Sequence, residues 1–424
     1  FETALAEAEA AEGVIPASAV APIVAATRAT FDLDALVAEA RIAGSVAIPL
    51  VRKLTADVAA RDPAAAPYVH HGSTSQDVID TAMVVVTRRA LALIDAELER
   101  LTTALAALAR THATTPILAR TLLQPAQVIS FGFKVVAWLA PLLRARERLY
   151  VRARSALRVQ LGGAVGTLAS LGDRGPAVAI RVAERLGLAP QVDAWHVQRD
   201  EWIALGCEVA LLCGSLGKVG GDLALLAQAE VGELAEPSAA GRGGSSAMPQ
   251  KKNPVAAMTA LAAARRAPPL AAALLATMGH AHERALGDWQ AELAEWPSLF
   301  LAAHGALVAL ADAFAGLSVD APQMRENIAR QHGTVFAEAA AALVAPTLGK
   351  AQANALLGTL AARAAAGAGD LRLLVRADPA FKAVDAGTID AAFDVDAAAR
   401  RAGGLAIAQL DRLAAQTPAT GDQR

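Results

Sequence analysis

The sequence predicts an all-α fold in which long helices form an elongated bundle. Of its 424 residues, 54% are hydrophobic but only 4% are aromatic. Much of the apolar content is alanine and leucine, which favour helix over strand. Apolar residues recur at intervals of three and four, whereas the alternation typical of strands is nearly absent. Together these observations indicate helices packed along their lengths.

The first long helix is predicted to start near Ser75 or Asp77, either of which is a suitable N-cap. Its apolar residues step by threes and fours, with Thr87 as an interruption. They are Val84, Leu91, Ile94, Leu98, Leu101, Leu105 and Leu108. Such a narrow apolar seam is typical of helices that pair as in a coiled coil.

Further long helices follow along the chain. A glycine-rich break at 162–166 ends the second helix, and Pro141 predicts a kink inside it. The predicted positions are 130–160, 200–236 and a helix that follows Pro254. Because the seams are long, we expect them to continue across subunits of an oligomer.

The helices divide into three predicted domains. We expect an N-terminal helical domain at 1–76, a central helical bundle at 77–318 and a C-terminal helical domain at 319–424. The stretch "LSVDAPQM" at 317–324 has the turn residues expected at the second boundary. The chain begins at Phe1 within an amphipathic pattern, so we expect that its natural N-terminal segment is missing.

Charge, apolar runs and cysteine content exclude several classes of protein. A net charge of −2 gives no basic field for nucleic acid. The longest apolar run, 296–319, is interrupted by His304 and Asp312, which favours a buried bundle helix over a membrane span. Cys207 and Cys213 do not form a C-x-x-C motif, and we interpret them as buried free thiols in a reducing cytoplasm.

The stretch "GRGGSSAMPQKKNP" at 241–254 differs most from the helical pattern around it. Its glycines predict a mobile loop, with the hydroxyls of Ser245 and Ser246 at the tip. Asn253 is predicted to cap a helix whose first turn contains Pro254, and Lys251 adds positive charge there. Such a helix start attracts anions. A flexible surface linker remains the alternative.

Three more stretches carry polar side chains suited to chemistry. "VHHGSTSQDVIDT" at 69–81 places His70, Thr74 and Ser75 before a helix start, either as an anion site or as an elaborate cap. "WHVQRDEW" at 195–202 contains Arg199, either a fork for a substrate carboxylate or a surface ion pair. "HAHERALGDWQAE" at 280–292 contains two histidines, but their spacing is not that of a zinc site.

Taken together, these segments resemble the fumarase/aspartase superfamily. Its signature G-S-S-x-M-P-x-K-x-N matches residues 244–253 at every fixed position. The stretches "HGSTSQDVIDTA", "LGGAVGTLASLG", "WHVQRD" and "HERALGDWQAE" look most like its branch of bacterial 3-carboxy-cis,cis-muconate cycloisomerases. The resemblance covers nearly the whole chain and implies that about thirty residues precede Phe1 in the family.

The resemblance implies three helical domains, a homotetramer, and active sites built from segments of three subunits. It implies a cytoplasmic cycloisomerase acting on a small carboxylate substrate, with no metal or cofactor and no nucleic-acid or membrane partner. The implied catalytic residues are Ser245 as the base of the mobile loop, Lys251 and His70. The implied substrate-binding residues are Thr74, Ser75, Gln124, Arg199, Ser246 and Asn253.

One departure from the superfamily pattern bears on the reaction. Lyases that release an amine or alcohol often carry R-T-H, with the histidine near the position of the general acid, where this chain has Leu122 in "ARTLLQPAQ". A lactone that reopens releases a carboxylate, whose intrinsic pKa of about 4 requires no protonation. Pro125 replaces a histidine common in the branch. The alternatives are another lyase of the superfamily, acting on argininosuccinate or adenylosuccinate, and a non-catalytic structural protein. "MPQKKNP" resembles argininosuccinate lyases in Gln250 and Lys252.

Overall fold

The computed structural model describes residues 1–416 apart from 239–240, 242, 245–246 and 249. Within these residues the chain folds mainly into helices, with very little sheet. The α-helices are α1 (Glu2–Ala11), α2 (Val20–Thr27), α3 (Leu33–Ala43), α4 (Ala47–Arg61), α5 (Ser75–Thr111), α6 (Phe131–Ala156), α7 (Gly175–Leu186), α8 (Asp200–Ala227), α9 (Val255–Ala276), α10 (Asp288–Ala315), α11 (Ala321–Ala329), α12 (Ala337–Leu348), α13 (Lys350–Ala365), α14 (Leu371–Ala377), α15 (Ala386–Ala392) and α16 (Val395–Gln416). The 3₁₀ turns are Ala17–Ala19, Ala66–Tyr68, Ala169–Arg174, Thr334–Phe336 and Pro379–Phe381. The strands are β1 (Pro116–Thr121), β2 (Gln124–Ser130), β3 (Leu234–Ala235) and β4 (Ser318–Val319). The predicted all-α class is confirmed.

Helix α5 has 37 residues and confirms the predicted seam. The buried side chains on it include Val84, Ile94, Leu98, Leu101 and Leu105, each at most 1% exposed. The helix begins at Ser75, so Thr74 is its N-cap. Asp77, three residues after this cap, accepts a hydrogen bond from the backbone N–H of Thr74, as in a capping box.

The other long helices agree with the sequence except at two ends. Helix α6 ends at Ala156, before the glycine-rich break that was predicted to end it. Helix α6 contains Pro141, as expected, and α9 begins just after Pro254. Helix α8, however, ends at Ala227 rather than near residue 236. The chain turns there through Gly232, whose φ of 61° is left-handed, and Leu234–Ala235 then pairs with Ser318–Val319. Residues 228–236 contain apolar and acidic residues at spacings that also fit a helix. The periodicity of the sequence therefore did not reveal that the helix ends at Ala227.

The hairpin of β1 and β2 is the main feature that the sequence analysis missed. Thr121 pairs with Gln124, which leaves Leu122 and Leu123 as a two-residue turn with φ values of 51° and 64°. Such a turn normally contains asparagine and glycine, because both of its residues take left-handed backbone. Two leucines gave no turn signal. Leu122 is 96% exposed at the tip.

The chain separates into two compact units, each made of several segments. The first comprises Phe1–Asp95, Arg146–Leu211 and Arg266–His304. The second comprises Ala96–Ala145, Leu212–Arg265 and Gly305–Arg424. The three predicted domains are instead contiguous ranges of the sequence. They remain a prediction.

Each unit has its own apolar core. In the first unit, residues of α1 and α7 pack together, among them Leu5, Ala8, Val178 and Val182. In the second unit, α12 and α13 pack around residues such as Val344 and Leu357, next to the buried face of the β1–β2 hairpin. Closely packed small side chains also join helices there: a Cβ on Gly217 of α8 would lie 2.3 Å from the Cβ of Ala264 of α9.

By length and composition, α8 and α10 could each cross a membrane. About half of the most apolar window of each helix is buried inside the protein, 50% for α8 and 56% for α10. Core helices commonly have this composition, and the run at 296–319 was predicted to be one of them. Cys213 of α8 is buried and Cys207 is half-buried, and both are free thiols.

Candidate active site

The carboxylate of Asp77 lies at the centre of the polar segments of the first unit. It is fully buried and is contacted by four nitrogen atoms. Oδ2 accepts from the backbone N–H groups of Thr74 at 3.0 Å and Gly163 at 2.9 Å. Oδ1 accepts from the N–H of Gly162 at 3.0 Å and lies 2.7 Å from Nε2 of His196. Asp77 therefore joins the start of α5, the 162–163 turn and the 195–202 segment.

Two glycines allow these segments to approach closely. Gly72 has a φ of 66°, and a Cβ there would lie 2.3 Å from a side-chain carbon of Leu171. Gly163 has a φ of 69°, and its Cβ would lie 2.9 Å from the carbonyl oxygen of Gly72. Only glycine fits both the left-handed backbone and the space. The glycine stretch that the sequence showed as a helix break thus forms part of the site wall.

The predicted donors Thr74 and Ser75 lie half-buried at the start of α5. The hydroxyl oxygen of Thr74 accepts a hydrogen bond from Nη1 of Arg284 at 3.0 Å. His70, whose φ is 58°, lies in the loop before them, and its Nδ1 is 2.7 Å from a carboxylate oxygen of Glu2. A carboxylate on one ring nitrogen selects the tautomer that leaves the other nitrogen as the acceptor.

Arg199 is buried in an ion-pair network rather than open at the surface. Its side chain is 1% exposed, and its guanidinium donates to both oxygens of Asp80 and both oxygens of Glu292. Burial alone would lower the pKa of Arg199, but the charges of Asp80 and Glu292 reverse this and raise it. The guanidinium also lies 4.6 Å above the ring of Trp195. This geometry favours a positioning role, in which Arg199 holds α5 and α10 together.

The network around Arg199 satisfies its buried carboxylates with further donors. The indole N–H of Trp289 donates to Asp80 at 2.9 Å, and that of Trp202 donates to Glu292 at 2.9 Å. Trp202 in turn stacks on Trp296 with ring centroids 3.9 Å apart. Removing one member would leave a buried charge without its partner, which is strongly destabilising.

The described part of the signature loop lies in the second unit. The backbone N–H of Asn253 donates to the carbonyl of Gly243 at 2.8 Å, and the N–H of Lys251 donates to that of Met248 at 3.0 Å. Gly243 has a φ of 67°, which this close approach requires. The Lys251 side chain is exposed and that of Asn253 is half-buried. Ser245 and Ser246 lie outside the described residues.

The expectation that the helix start after this loop is a free anion site was wrong. Helix α9 begins at Val255, so Pro254 rather than Asn253 is its N-cap. The N–H groups of Ala256 and Ala257 already donate to the carboxylate of Glu236, at 3.0 and 3.1 Å. Glu236 lies before the loop, and nothing in the sequence pattern linked it to the helix that follows. The positive end of α9 is neutralised by the protein itself.

Gln124 is exposed and is the first residue of β2, next to the turn that contains Leu122. Arg120 of β1 donates to both carboxylate oxygens of Glu233, which is fully buried, at 2.9 and 3.1 Å. Asn327 donates to the same carboxylate at 2.8 Å. The hairpin that carries Gln124 is therefore anchored within the second unit.

The predicted residues are thus divided between the two units. His70, Thr74, Ser75 and Arg199 belong to the first, whereas Gln124, Lys251 and Asn253 belong to the second. Sequence reasoning missed the buried partners Asp80 and Glu292, together with Glu236. Each of them lies on a helix or next to one, where an isolated acidic residue gives the same signal as a solvated surface residue.

The histidines at 280 and 282 do not form part of a metal cluster in the described structure. Among the residues that it describes, no group of three or more histidine, cysteine or acidic side chains is arranged to hold a metal ion. A shallow pocket of the first unit, lined by Arg158, Trp195 and Trp202 among others, contains none of the predicted site residues.

Long helices that carry donor-rich loops at their ends form the scaffold of the candidate site. The family model described as "Lyase" matches residues 1–268. The chain belongs to this lyase family, within the fumarase/aspartase superfamily that its signature loop indicated.

Three relatives show the range of proteins that the chain resembles. It is 48% identical to a 3-carboxy-cis,cis-muconate cycloisomerase of Bradyrhizobium diazoefficiens, over 89% of this chain and 84% of the relative. It is 45% identical to a nitrosuccinate lyase of Streptomyces davaonensis, over 84% of this chain and 77% of the relative. The crystal structure of the 3-carboxy-cis,cis-muconate lactonizing enzyme from Pseudomonas putida superposes with a TM-score of 0.89 at 39% identity, covering 98% of this chain and 93% of that one.

Proposed function

We propose that this protein is a cycloisomerase that converts 3-carboxy-cis,cis-muconate to 4-carboxymuconolactone, a step in the protocatechuate branch of the β-ketoadipate pathway. The observation that carries the proposal is the 48% identity to a cycloisomerase of this name over 89% of the chain. The apolar Leu122, where amine-releasing lyases of the superfamily carry histidine, supports the same reaction.

The reaction closes a ring and takes up one proton. An oxygen of one terminal carboxylate adds to the carbon that bears the 3-carboxylate, and a carbon–oxygen bond forms. The electron pair of the double bond moves onto the other terminal carboxylate, which becomes an aci-carboxylate. Protonation of the adjacent carbon then restores that carboxylate. The product has one negative charge fewer than the substrate, so one proton is consumed per turnover.

The residues of the site supply donors where charge develops. Lys251 and Asn253, with the hydroxyls of Thr74 and Ser75, stabilise the aci-carboxylate, because preorganised donors bind the developing charge without reorganisation. Ser245 delivers the proton in this direction and removes it in the reverse direction. A serine does so only in positive potential, which Lys251 provides.

His70 and Arg199 complete the assignment in supporting roles. Nδ1 of His70 lies against the carboxylate of Glu2, so Nε2 is the ring nitrogen proposed to face the substrate or a bound water. Arg199, buried between Asp80 and Glu292, holds the helix start that carries Thr74 and Ser75. Gln124 and Ser246 are proposed to contact the substrate.

The donor-rich stretches are separated along the chain and each carries only part of a site, which supports a site that several subunits complete. We propose that the protein is a homotetramer in the cytoplasm, with segments of three subunits at each site. Light scattering on the full-length chain is expected to give the mass of a tetramer. An active monomer would contradict the shared site.

A side-by-side assay with purified protein tests the reaction. We expect rapid ultraviolet loss of 3-carboxymuconate with uptake of one proton, and negligible fumarate from argininosuccinate or adenylosuccinate, because their nitrogen leaving groups need an acid. Efficient fumarate release from either compound would contradict the proposal and the interpretation of Leu122.

Nitrosuccinate belongs in the same assay as a second candidate substrate. The 45% identity to a nitrosuccinate lyase favours it, and nitrite is a weak base that departs without protonation, so Leu122 does not oppose it. Faster release of nitrite and fumarate than lactone formation would replace the cycloisomerase assignment.

A further inference from the structure

Arg284 lies in the loop between α9 and α10 and is exposed on the first unit. Its guanidinium makes three hydrogen bonds, all to neutral oxygens. Nη1 donates to the hydroxyl of Thr74 at 3.0 Å. Nη2 donates to the carbonyl of Gly163 at 3.4 Å and to that of Ala164. The cation is therefore held against the start of α5 and the glycine turn.

The charge of Arg284 contrasts with that of other arginines near the site. Arg199 and Arg120 are neutralised by Asp80, Glu292 and Glu233. Within the part of the chain that the structure describes, Arg284 has no carboxylate at ion-pair distance. A guanidinium carries five N–H donors, so Arg284 keeps donors and an uncompensated positive charge for a substrate carboxylate.

The bond to Thr74 also orients that hydroxyl. Because the oxygen of Thr74 accepts from Arg284, its own hydrogen is free to donate outward. Thr74 and Arg284 are then two adjacent donors, one neutral and one cationic. In 3-carboxymuconate, the 3-carboxylate and one terminal carboxylate are attached to neighbouring carbon atoms, which matches two donors side by side.

We propose that Arg284 binds the 3-carboxylate of the substrate, the one carboxylate that neither closes the ring nor receives the developing charge, while Thr74 binds its neighbour. This inference rests on the proposed function. It makes Arg284 a specificity-determining residue, which distinguishes a tricarboxylate from a dicarboxylate that lacks the central group.

Steady-state kinetics of Arg284→Gln test the proposal. Loss of this charged contact is expected to raise KM for 3-carboxymuconate about 30- to 100-fold with little change in kcat, because the contact is the same in the ground state and the transition state. Arg284→Lys keeps the charge without the planar guanidinium and is expected to lie in between. Arg52→Gln removes an exposed arginine of the same unit, paired with Glu39, and is the matched control.

Calorimetric binding gives a readout that does not require turnover. The wild-type protein is expected to bind tricarballylate more tightly than glutarate, which lacks the central carboxylate, and Arg284→Gln is expected to abolish that preference. Equal weakening of both ligands, or an unchanged preference, would overturn the proposal. If the wild-type protein does not convert 3-carboxymuconate, the proposed function fails, whereas the binding preference still decides the role of Arg284.

Discussion

Replacing Asp77 with asparagine tests whether its buried carboxylate organises the first half of the site. Asparagine keeps the volume but replaces one oxygen with an NH₂ group. Placed at Oδ2, that group would face the N–H donors of Thr74 and Gly163. Placed at Oδ1, it would face the N–H of Gly162 and the ring of His196, which can change tautomer and accept. The second orientation therefore costs less.

The magnitude follows from that orientation. The buried N–H of Gly162 loses its partner, which costs about 1–3 kcal/mol, and the remaining bonds change from charged to neutral, each weaker by about 0.5–1 kcal/mol. We expect Asp77→Asn to lower the free energy of unfolding by about 2–5 kcal/mol in total. Activity should also fall, because Thr74 and Ser75 are no longer held in place.

Urea unfolding and amide hydrogen exchange measure the two consequences separately. Exchange at Gly162 is expected to accelerate in Asp77→Asn under native conditions. The matched control is Asp95→Asn on the same helix, where an exposed ion pair with Arg146 is expected to contribute under about 1 kcal/mol. If Asp77→Asn is no less stable than Asp95→Asn and Gly162 stays protected, the central role of Asp77 is refuted.

Three further predictions concern the loop, a buried acid and a buried thiol. Ser245→Ala is expected to reduce turnover by about 10²–10⁴-fold with the fold intact, as expected for a positioned acid–base group. Wild-type turnover in Ser245→Ala would direct attention to Ser246 or His70. Burial, followed by the charge of Glu2, raises the pKa of Glu9 from 4.5 to about 8. The folded state therefore keeps a proton that the unfolded state loses between these values, and stability falls as the pH rises through this window. In urea unfolding from pH 5 to pH 8, the free energy of unfolding is expected to fall less steeply with pH in Glu9→Gln than in the wild-type protein, by up to ~1.4 kcal/mol per pH unit. The same pH dependence in both proteins would contradict this prediction. Burial raises the pKa of Cys213 to about 12, so in Cys207→Ala a thiol reagent is expected to label nothing until urea unfolds the protein, and native-state labelling would show that Cys213 is accessible.

Local patterns in the sequence were sufficient to predict the main helices. The seam of α5 is visible because its apolar residues are a few positions apart on one face, and helix formation depends on neighbours at that spacing. The signature loop was likewise identified from contiguous residues. For the same reason the family, and the reaction that it implies, followed from the sequence without coordinates.

Contacts between residues distant in the sequence required the tertiary structure. The turn at Leu122 and Leu123 has no local signal, because pairing of the flanking strands imposes left-handed backbone on two leucines. Glu236 neutralises the start of α9 across the signature loop, which overturned the expectation of a free anion site there.

The polar residues of the site likewise show what the sequence determines and what requires the tertiary structure. The sequence by itself determined which side chains with useful chemistry are present, and that Thr74, Ser75 and Lys251 lie at or near helix starts. Only the tertiary structure decided that Arg199 forms ion pairs with two buried carboxylates. It also decided that Arg284 is exposed and forms no ion pair within the described chain. The physical reason is that the chemistry of a charged side chain depends on burial and on nearby opposite charge, and folding brings both from distant parts of the chain.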